Sequence, residues 1–572
     1  MASTPHDAHP TPWARTWTLI RAERSDLGVA VAYSIAIGLL SLALPVATQS
    51  LVNTVAFGTV LQPLVVLSIL VFAALSAAAL LQSLRLWVVE MIQRRVFARL
   101  ASQVSDRLLR VRLEAFDRQN GPELVNRFLD VVTVQKSVSL LLVDGLSLIM
   151  QVLMGMLLLA AYHPYLLAFD IALVLLIGVV LIGFGYGAVR TSIAESHAKY
   201  EVLAWLEEIA RHRSAFRSRA ADRYARHRTR TLVSNYLQNR ASHFRVLVRQ
   251  ISGSLMLQAF ATSALLGIGG WLVIRGQLTL GQLIAAELVV NMIVSSLAKF
   301  GKSLESFYDL QAAMDKLGYL TDLAVERSSG EAMPIPVGPA TVRLQGVTFA
   351  HPGQQTLLSA PPIEIKAGAR VAIHGPSGSG KSTLLDLLFA TRDPSSGLVE
   401  LDGIDYRNYR LSDLRDQIAL VREVDVFPGT VLENVRLGSD ADPLMIRRAL
   451  ENVGLLDKVS ALPEGWNTPL FTGGAPLSPG QALRLMIARA LLARPRLLLL
   501  DEVLDHIEDL QIRGPLVRTL FAADAPWTLV ATTERQDIWP MCAQVFEFRG
   551  GRLEPHLNEL RERTPAPEVV RA

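Results

Sequence analysis

The sequence predicts two kinds of structure in one chain: an all-α membrane domain of six helices, then an α/β P-loop domain. Three observations carry this. Apolar runs long enough to cross a bilayer are confined to the first 325 residues. A strand–glycine loop–helix pattern, "RVAIHGPSGSGKSTLLDLLFA", stands at 370–390. Four leucines run into Asp501-Glu502 in "LLLLDEVLDHIE", which reads as a buried strand delivering two carboxylates to its end. The composition agrees: 51% of residues are hydrophobic and 19% charged, with a mean hydropathy of +0.32, which points to membrane segments. A net charge of +4 gives nucleic-acid binding no support. Cys542 is the only cysteine, which excludes an intrachain disulfide and a Cys-rich metal site.

In chain order, residues 1–25 read as an N-terminal segment without the pattern of a cleavable signal peptide. Trp13, Trp17 and Ile20 would form the apolar face of an amphipathic helix on the inner leaflet. The membrane domain is set at 26–323. Leu27 to Leu84 carries no charge and holds two spans of ~20 residues, with a turn at Asn53, Gly58 and Pro63. Gly145 to Phe169 and Asp170 to Val189 give two more, broken at Tyr162-His163-Pro164-Tyr165. Ile251 to Ile274 is the fifth, "RGQLTLGQ" turns the chain, and the sixth runs from Leu280 to Ala298. The short connections carry one Arg, Arg275, whereas 85–136 and 190–250 are rich in Arg and Lys. Positive charge stays inside, so both termini are expected in the cytoplasm. That topology accounts for the basic cluster at 211–230 without a nucleic-acid partner. Asp170 is expected as a solvated carboxylate at the outer boundary, and Glu287 as a residue lining a cavity.

Residues 324–340, rich in Pro, Gly and Ser, read as a linker, 341–557 as the nucleotide-binding domain, and 558–572 as a flexible tail. "GPSGSGKS" matches the P-loop pattern in its required setting between a strand and a helix. Gly375, Pro376, Ser377, Gly378, Ser379, Gly380, Lys381, Ser382 and Thr383 are therefore candidates for the phosphate cradle. Glycines let backbone N–H groups turn inward, and the helix N-terminus adds partial positive charge. Lys381 would pair with the β- and γ-phosphates and Ser382 would ligate Mg²⁺. Asp501 would serve the same Mg²⁺, and Glu502 would act as general base on water. His506 reads as a surface residue, since no second ligand lies at metal spacing.

"LSPGQALRLMIARALLARPRLLLLDE", Leu477 to Glu502, resembles the signature-to-Walker-B block of ATP-binding cassette (ABC) proteins. "RGQLTLGQLIAAELV" and "LQAAMDKLGYLTDL" resemble the last span of ABC exporters and its exit. "RLEAFDRQNGPELVNRF" is similar to the coupling region of type I secretion exporters. The resemblance implies an exporter half-transporter: six long helices fused to one cassette, two chains sandwiching two ATP molecules between P-loop and signature. It sets Ser478, Gly480 and Gln481 in the signature and His351 at the adenine-stacking position.

The sequence departs from the family at several of these positions. Glu423 stands for the Q-loop Gln, where an oxygen for Mg²⁺ remains but with added negative charge. Pro479 replaces the first signature Gly and removes a backbone donor. Leu504-Asp505 follow Glu502 almost at once, shortening the D-loop. Thr533 stands at the switch His, with Glu534 there if the register shifts by one residue. ATP binding with slow hydrolysis is the expectation.

The implied function is ATP-driven outward movement of a peptide, protein or amphiphile across a bacterial inner membrane. The partners expected are a second half-transporter (another copy favoured, a different chain as the alternative), the lipid bilayer, the transported substrate and a periplasmic adaptor. The alternatives are a degenerate half of a heterodimer, and a nucleotide-gated scaffold or sensor without transport.

Overall fold

The computed structural model describes residues 10–57, 61–117, 121–332, 336–351, 357–507 and 509–556. The expected turn at Gly58 and the tail 558–572 lie outside them. The chain divides into two units, Met1–Val111 with Ala115–Val325, and Arg112–Glu114 with Glu326–Ala572.

The first unit is helical. Among the described residues, four helical stretches are long and apolar enough to cross a membrane: Arg24–Thr54, Leu64–Leu108, Leu124–Tyr162 and Arg219–Ile274. Two shorter apolar helices, Pro164–Gly178 and Leu280–Ile293, make the set consistent with six passages. The apolar runs seen in the sequence are only the membrane halves of longer rods. Leu61–Leu108 is one helix of 48 residues and Arg219–Ile274 one of 56. Their charged halves stay ordered because they find partners. Arg99 pairs with the buried Glu23 at 2.8 Å, Arg95 pairs with Asp26, and Arg94 reaches Glu90 one turn back at 2.9 Å.

Local chemistry sets the breaks. His163 is extended and its ring accepts the Tyr165 N–H, while Pro164 occupies the first helical position, where a missing N–H costs nothing. "RGQLTLGQ" works as a capping box. Gln282 N–H donates to the Thr279 hydroxyl at 3.1 Å, and Thr279 N–H donates to the Gln282 side chain at 2.9 Å. Next to it, a Cβ on Gly281 would meet the Asn53 side chain at 2.5 Å, so the backbones touch there.

The core of this unit is a cluster that includes Leu159, Leu166, Leu265, Leu272 and Ile293. Asp170 is a correction to the sequence reading. It is only 3% exposed, and neither carboxylate oxygen has a hydrogen-bond partner among the described residues. The helix Pro164–Gly178 turns it inward with Leu166, Phe169 and Leu173, because three- and four-residue spacing shares one face. Glu287 is exposed. In the helix Pro12–Ala22, Trp13, Trp17 and Ile20 are exposed, while Thr16 is buried and Arg15 pairs with Asp322.

The second unit is built on a mixed sheet. Its parallel part runs, side by side, Ile418–Val421, Leu497–Asp501, Thr528–Thr532, Arg370–His374 and Gln544–Arg549. The leucine run is the buried strand Leu497–Asp501, covered on both faces. Leu497 and Leu499 join one core cluster, and Leu498 and Leu500 the other. The register aligns Asp501 with Thr532, Thr532 with Ile373, and Leu500 with Val421. The loops leaving those strands therefore converge on one edge, at the carboxyl ends, where ligands bind in open parallel sheets.

Candidate nucleotide site

The P-loop leaves the strand Arg370–His374 and enters the helix Lys381–Leu388. Gly375 has φ +145°, and a Cβ there would lie 2.9 Å from Phe548, so both conformation and space require glycine. Gly380, at φ +108°, caps the helix in the left-handed region. Ser377 and Ser382 are exposed, and Thr383 is half-buried. Among the described residues, the Ser379 hydroxyl oxygen is buried without a hydrogen-bond partner. A phosphate oxygen would satisfy that orphaned hydroxyl, and the glycine cradle leaves room for it, so the loop fits ATP.

Lys381 is buried, and its ammonium has four neighbours. It donates to the Gly375 and Pro376 carbonyls, lies 3.3 Å from a Glu502 oxygen and 3.4 Å from a Glu534 oxygen. Glu502 sits in a tight turn at φ +55°, rare for a residue with a side chain. The turn is pinned by its N–H, which donates to the Thr532 hydroxyl at 2.8 Å. That hydroxyl in turn donates to Asp501 Oδ1 at 2.7 Å.

Thr533, the switch-position candidate, is fully buried. Its hydroxyl donates to Asp505 Oδ1 at 2.6 Å, and Asp505 Oδ2 accepts the Glu534 N–H at 3.2 Å. Glu534, next in the chain, meets Lys381 together with Glu502, and it also accepts the Gly375 N–H at 3.0 Å. The turn after Glu502 thus folds back onto Thr533 and Glu534 through Asp505, with Val503 and Leu504 buried and His506 exposed.

Glu423 is exposed on the loop after the strand Ile418–Val421. Its neighbour Arg422 was not anticipated. Arg422 Nε donates to Asp501 Oδ2 at 2.6 Å, and Nη2 donates to Asp386 Oδ1 at 2.9 Å and to the Ser382 carbonyl at 3.0 Å. Burial by itself lowers the Arg422 pKa, but Asp386 and Asp501 outweigh it and hold the pKa above its ordinary value. Both Asp501 oxygens are thereby engaged, one by Thr532 and one by Arg422. Mg²⁺ does not fit this arrangement, since the carboxylate expected to serve it already has a cation.

Ser478 caps the helix Pro479–Leu492 with a capping box. The Gln481 N–H donates to the Ser478 hydroxyl at 3.3 Å, and the Ser478 N–H donates to the Gln481 side chain at 2.9 Å. Pro479 takes the first helical position, where its missing N–H leaves no helical bond unmade. Gly480 is half-buried, with open space at its Cβ position. His351 packs edge-on against Phe349 with ring centroids 5.1 Å apart.

Behind the P-loop, His374 Nε2 and His556 Nδ1 lie 3.2 Å apart. With Glu547 they form a group whose ligand atoms are all within 4.8 Å of one another, close enough to hold a metal ion. The sequence hid it, because 182 residues separate the two histidines.

Comparison with known proteins agrees with this geometry. The ABC transporter transmembrane region matches residues 27–297, and the ABC transporter model matches 358–505. A protein of Bacillus subtilis (strain 168), the uncharacterized ABC transporter ATP-binding protein YwjA, is 32% identical over 272 residues, covering 47% of each chain. The mitochondrial iron-sulfur clusters transporter ATM1 of Candida glabrata is 32% identical over 278 residues, 47% of this chain and 38% of its own. These matches span about half the length of such relatives or less. A solved structure of a bacterial Atm1-family ABC exporter with ATP bound aligns with a TM-score of 0.80 over 95% of this chain and 97% of its own; at 22% identity it speaks for the fold. With a transmembrane region followed by an ATP-binding domain of this kind, the chain belongs to the ABC transporters and has the half-transporter architecture.

Proposed function

We propose that this chain is one half of a dimeric exporter that uses ATP to move a substrate outward across a bacterial inner membrane. The observation that carries the reading is the meeting of Lys381 and Glu502, 3.3 Å apart at the strand ends, in a chain whose other half is a multi-pass membrane region. Lys381 is held by carbonyls and by two carboxylates that ATP phosphates would replace. As the ammonium turns to the phosphates, Glu502 is released from it and becomes available to take a proton from water. The exposed N-terminus of the signature helix, with Ser478 and Gly480, is the surface offered to the ATP of a second copy. His351 is the ring set to stack on adenine.

Hydrolysis is slow in this reading. Thr533 is committed to Asp505, so no imidazole orders the attacking water, and Glu534 adds negative charge beside Lys381. The substrate class is a peptide, a protein or an amphiphile.

Direction rests on loop charge, so it is tested by topology. Reporters fused near Gly58 and Gly276 are expected to behave as periplasmic, with both termini cytoplasmic. A cytoplasmic signal from either fusion contradicts the arrangement.

A further inference from the structure

We propose that Arg422 is the built-in cation of the nucleotide site, so that ATP binds here without Mg²⁺. The proposal rests on the reading of the P-loop as an ATP site and adds to it the charge that ATP meets there.

Charge balance comes first. Asp386 and Asp501 are buried, and two carboxylates out of water need a cation close by. Arg392 pairs with Asp386 at 3.3 Å, and Arg422 is the cation that joins both acids, donating to Asp501 at 2.6 Å and to Asp386 at 2.9 Å. The planar fork of a guanidinium suits two acids at once, whereas an ammonium acts as a single point charge. A third N–H goes to the Ser382 carbonyl at 3.0 Å, which ties the side chain to the first turn of the P-loop helix.

Register fixes this placement. Val421 lies opposite Leu500, so the next residue along each strand is Arg422 on one side and Asp501 on the other. The side chain is therefore delivered to the acid by the sheet rather than by a free loop.

Asp501 has one oxygen on Arg422 and the other on Thr532. Arg422 takes only the backbone carbonyl of Ser382, whose side chain stays exposed, and Glu423 is exposed on the following loop. Mg²⁺ demands near-octahedral oxygen ligation and gives up its waters reluctantly. To gain Asp501 it would have to share the carboxylate with the guanidinium, setting a dication beside a fixed positive charge. Lys381 can exchange Glu502 and Glu534 for the phosphates, while Arg422 keeps Asp386 and Asp501 neutralised without a metal, so ATP can be held as the free anion.

The test is equilibrium ATP binding to the purified full chain in lipid nanodiscs, with excess EDTA and with excess Mg²⁺. For the wild type, the two dissociation constants are expected to differ by less than about tenfold, the equivalent of one ordinary interaction. Arg422→Gln should convert the site to a metal-dependent one, with binding weakened by more than about tenfold in EDTA. A wild type that loses more than about tenfold in EDTA overturns the proposal. So does an Arg422→Gln protein as indifferent to EDTA as the wild type. If Arg422→Gln does not fold, judged by its melting curve, Arg422→Lys replaces it. A lysine cannot span both acids, so its EDTA penalty must exceed that of the wild type, and equal penalties overturn the proposal. If the wild type binds ATP under neither condition, the ATP-site reading fails, and this inference falls with it.

Discussion

Glu502 combines a strained backbone, at φ +55°, with a carboxylate aimed at Lys381. Strain of that kind is kept only where the surroundings enforce it, here through Thr532. If Glu502 is the base, Glu502→Gln should lower ATP turnover by at least ~10²-fold while leaving ATP binding intact, measured on the assembled dimer. An unchanged rate would assign turnover to another site. The sequence puts Thr533 forward as a switch-position candidate, but its surroundings were not legible there. Its hydroxyl faces Asp505 in a fully buried position. Thr533→His should therefore lower the melting temperature by overpacking rather than restore activity, and a faster, equally stable variant would contradict this. Arg422 was invisible for a different reason: its partners Asp386 and Asp501 stand 36 and 79 residues away, one brought to it by the helix Lys381–Leu388 and the other by strand register. His374 gives a pH test. Burial, then His556, push its pKa below the ordinary 6.5. The unfolded chain then binds that proton more readily, so this contribution to stability is complete above 6.5 and declines as pH falls towards the lowered value. Glu547 and Glu534 oppose the depression and Lys381 adds to it. Thermal melts against pH should show a shallower slope there for His374→Gln than for the wild type; equal slopes would show that His374 does not contribute.

At the scale of elements, periodicity and turn chemistry carried most of the information. "HP" at 163–164 and "TLGQ" at 279–282 act where they stand, through a proline at a first helical position and a capping box. Hydropathy found the apolar halves of the long helices and missed their continuation, because the charged halves are held by distant pairs such as Arg99 with Glu23. Asp170 shows the same limit. Its position near the outer end of a span suggested solvent, whereas the face it occupies is set by packing with Leu166, Phe169 and Leu173. A buried carboxyl group with neither oxygen hydrogen-bonded is a liability to the fold. Asp170→Leu should stabilise the purified protein by at least ~1 kcal/mol, read as a higher melting temperature. A fall instead would show that the carboxyl group makes a favourable interaction.

At the scale of the whole molecule, the division into a membrane part and a nucleotide-binding part was legible from composition and one loop, since bilayer thickness and phosphate geometry leave few other solutions. What a single sequence carries less plainly is the tuning of the site, which depends on contacts between strands far apart in the chain. The central claim is that the Gly375–Thr383 loop binds ATP through Lys381. Equilibrium binding of ATP to the purified full-length protein, wild type against Lys381→Ala, tests it most directly. The expected result is saturable binding by the wild type and a loss of at least ~10²-fold in the variant, as removal of a desolvated charge-assisted contact to phosphate requires. Equal affinity of the two proteins for ATP would contradict it.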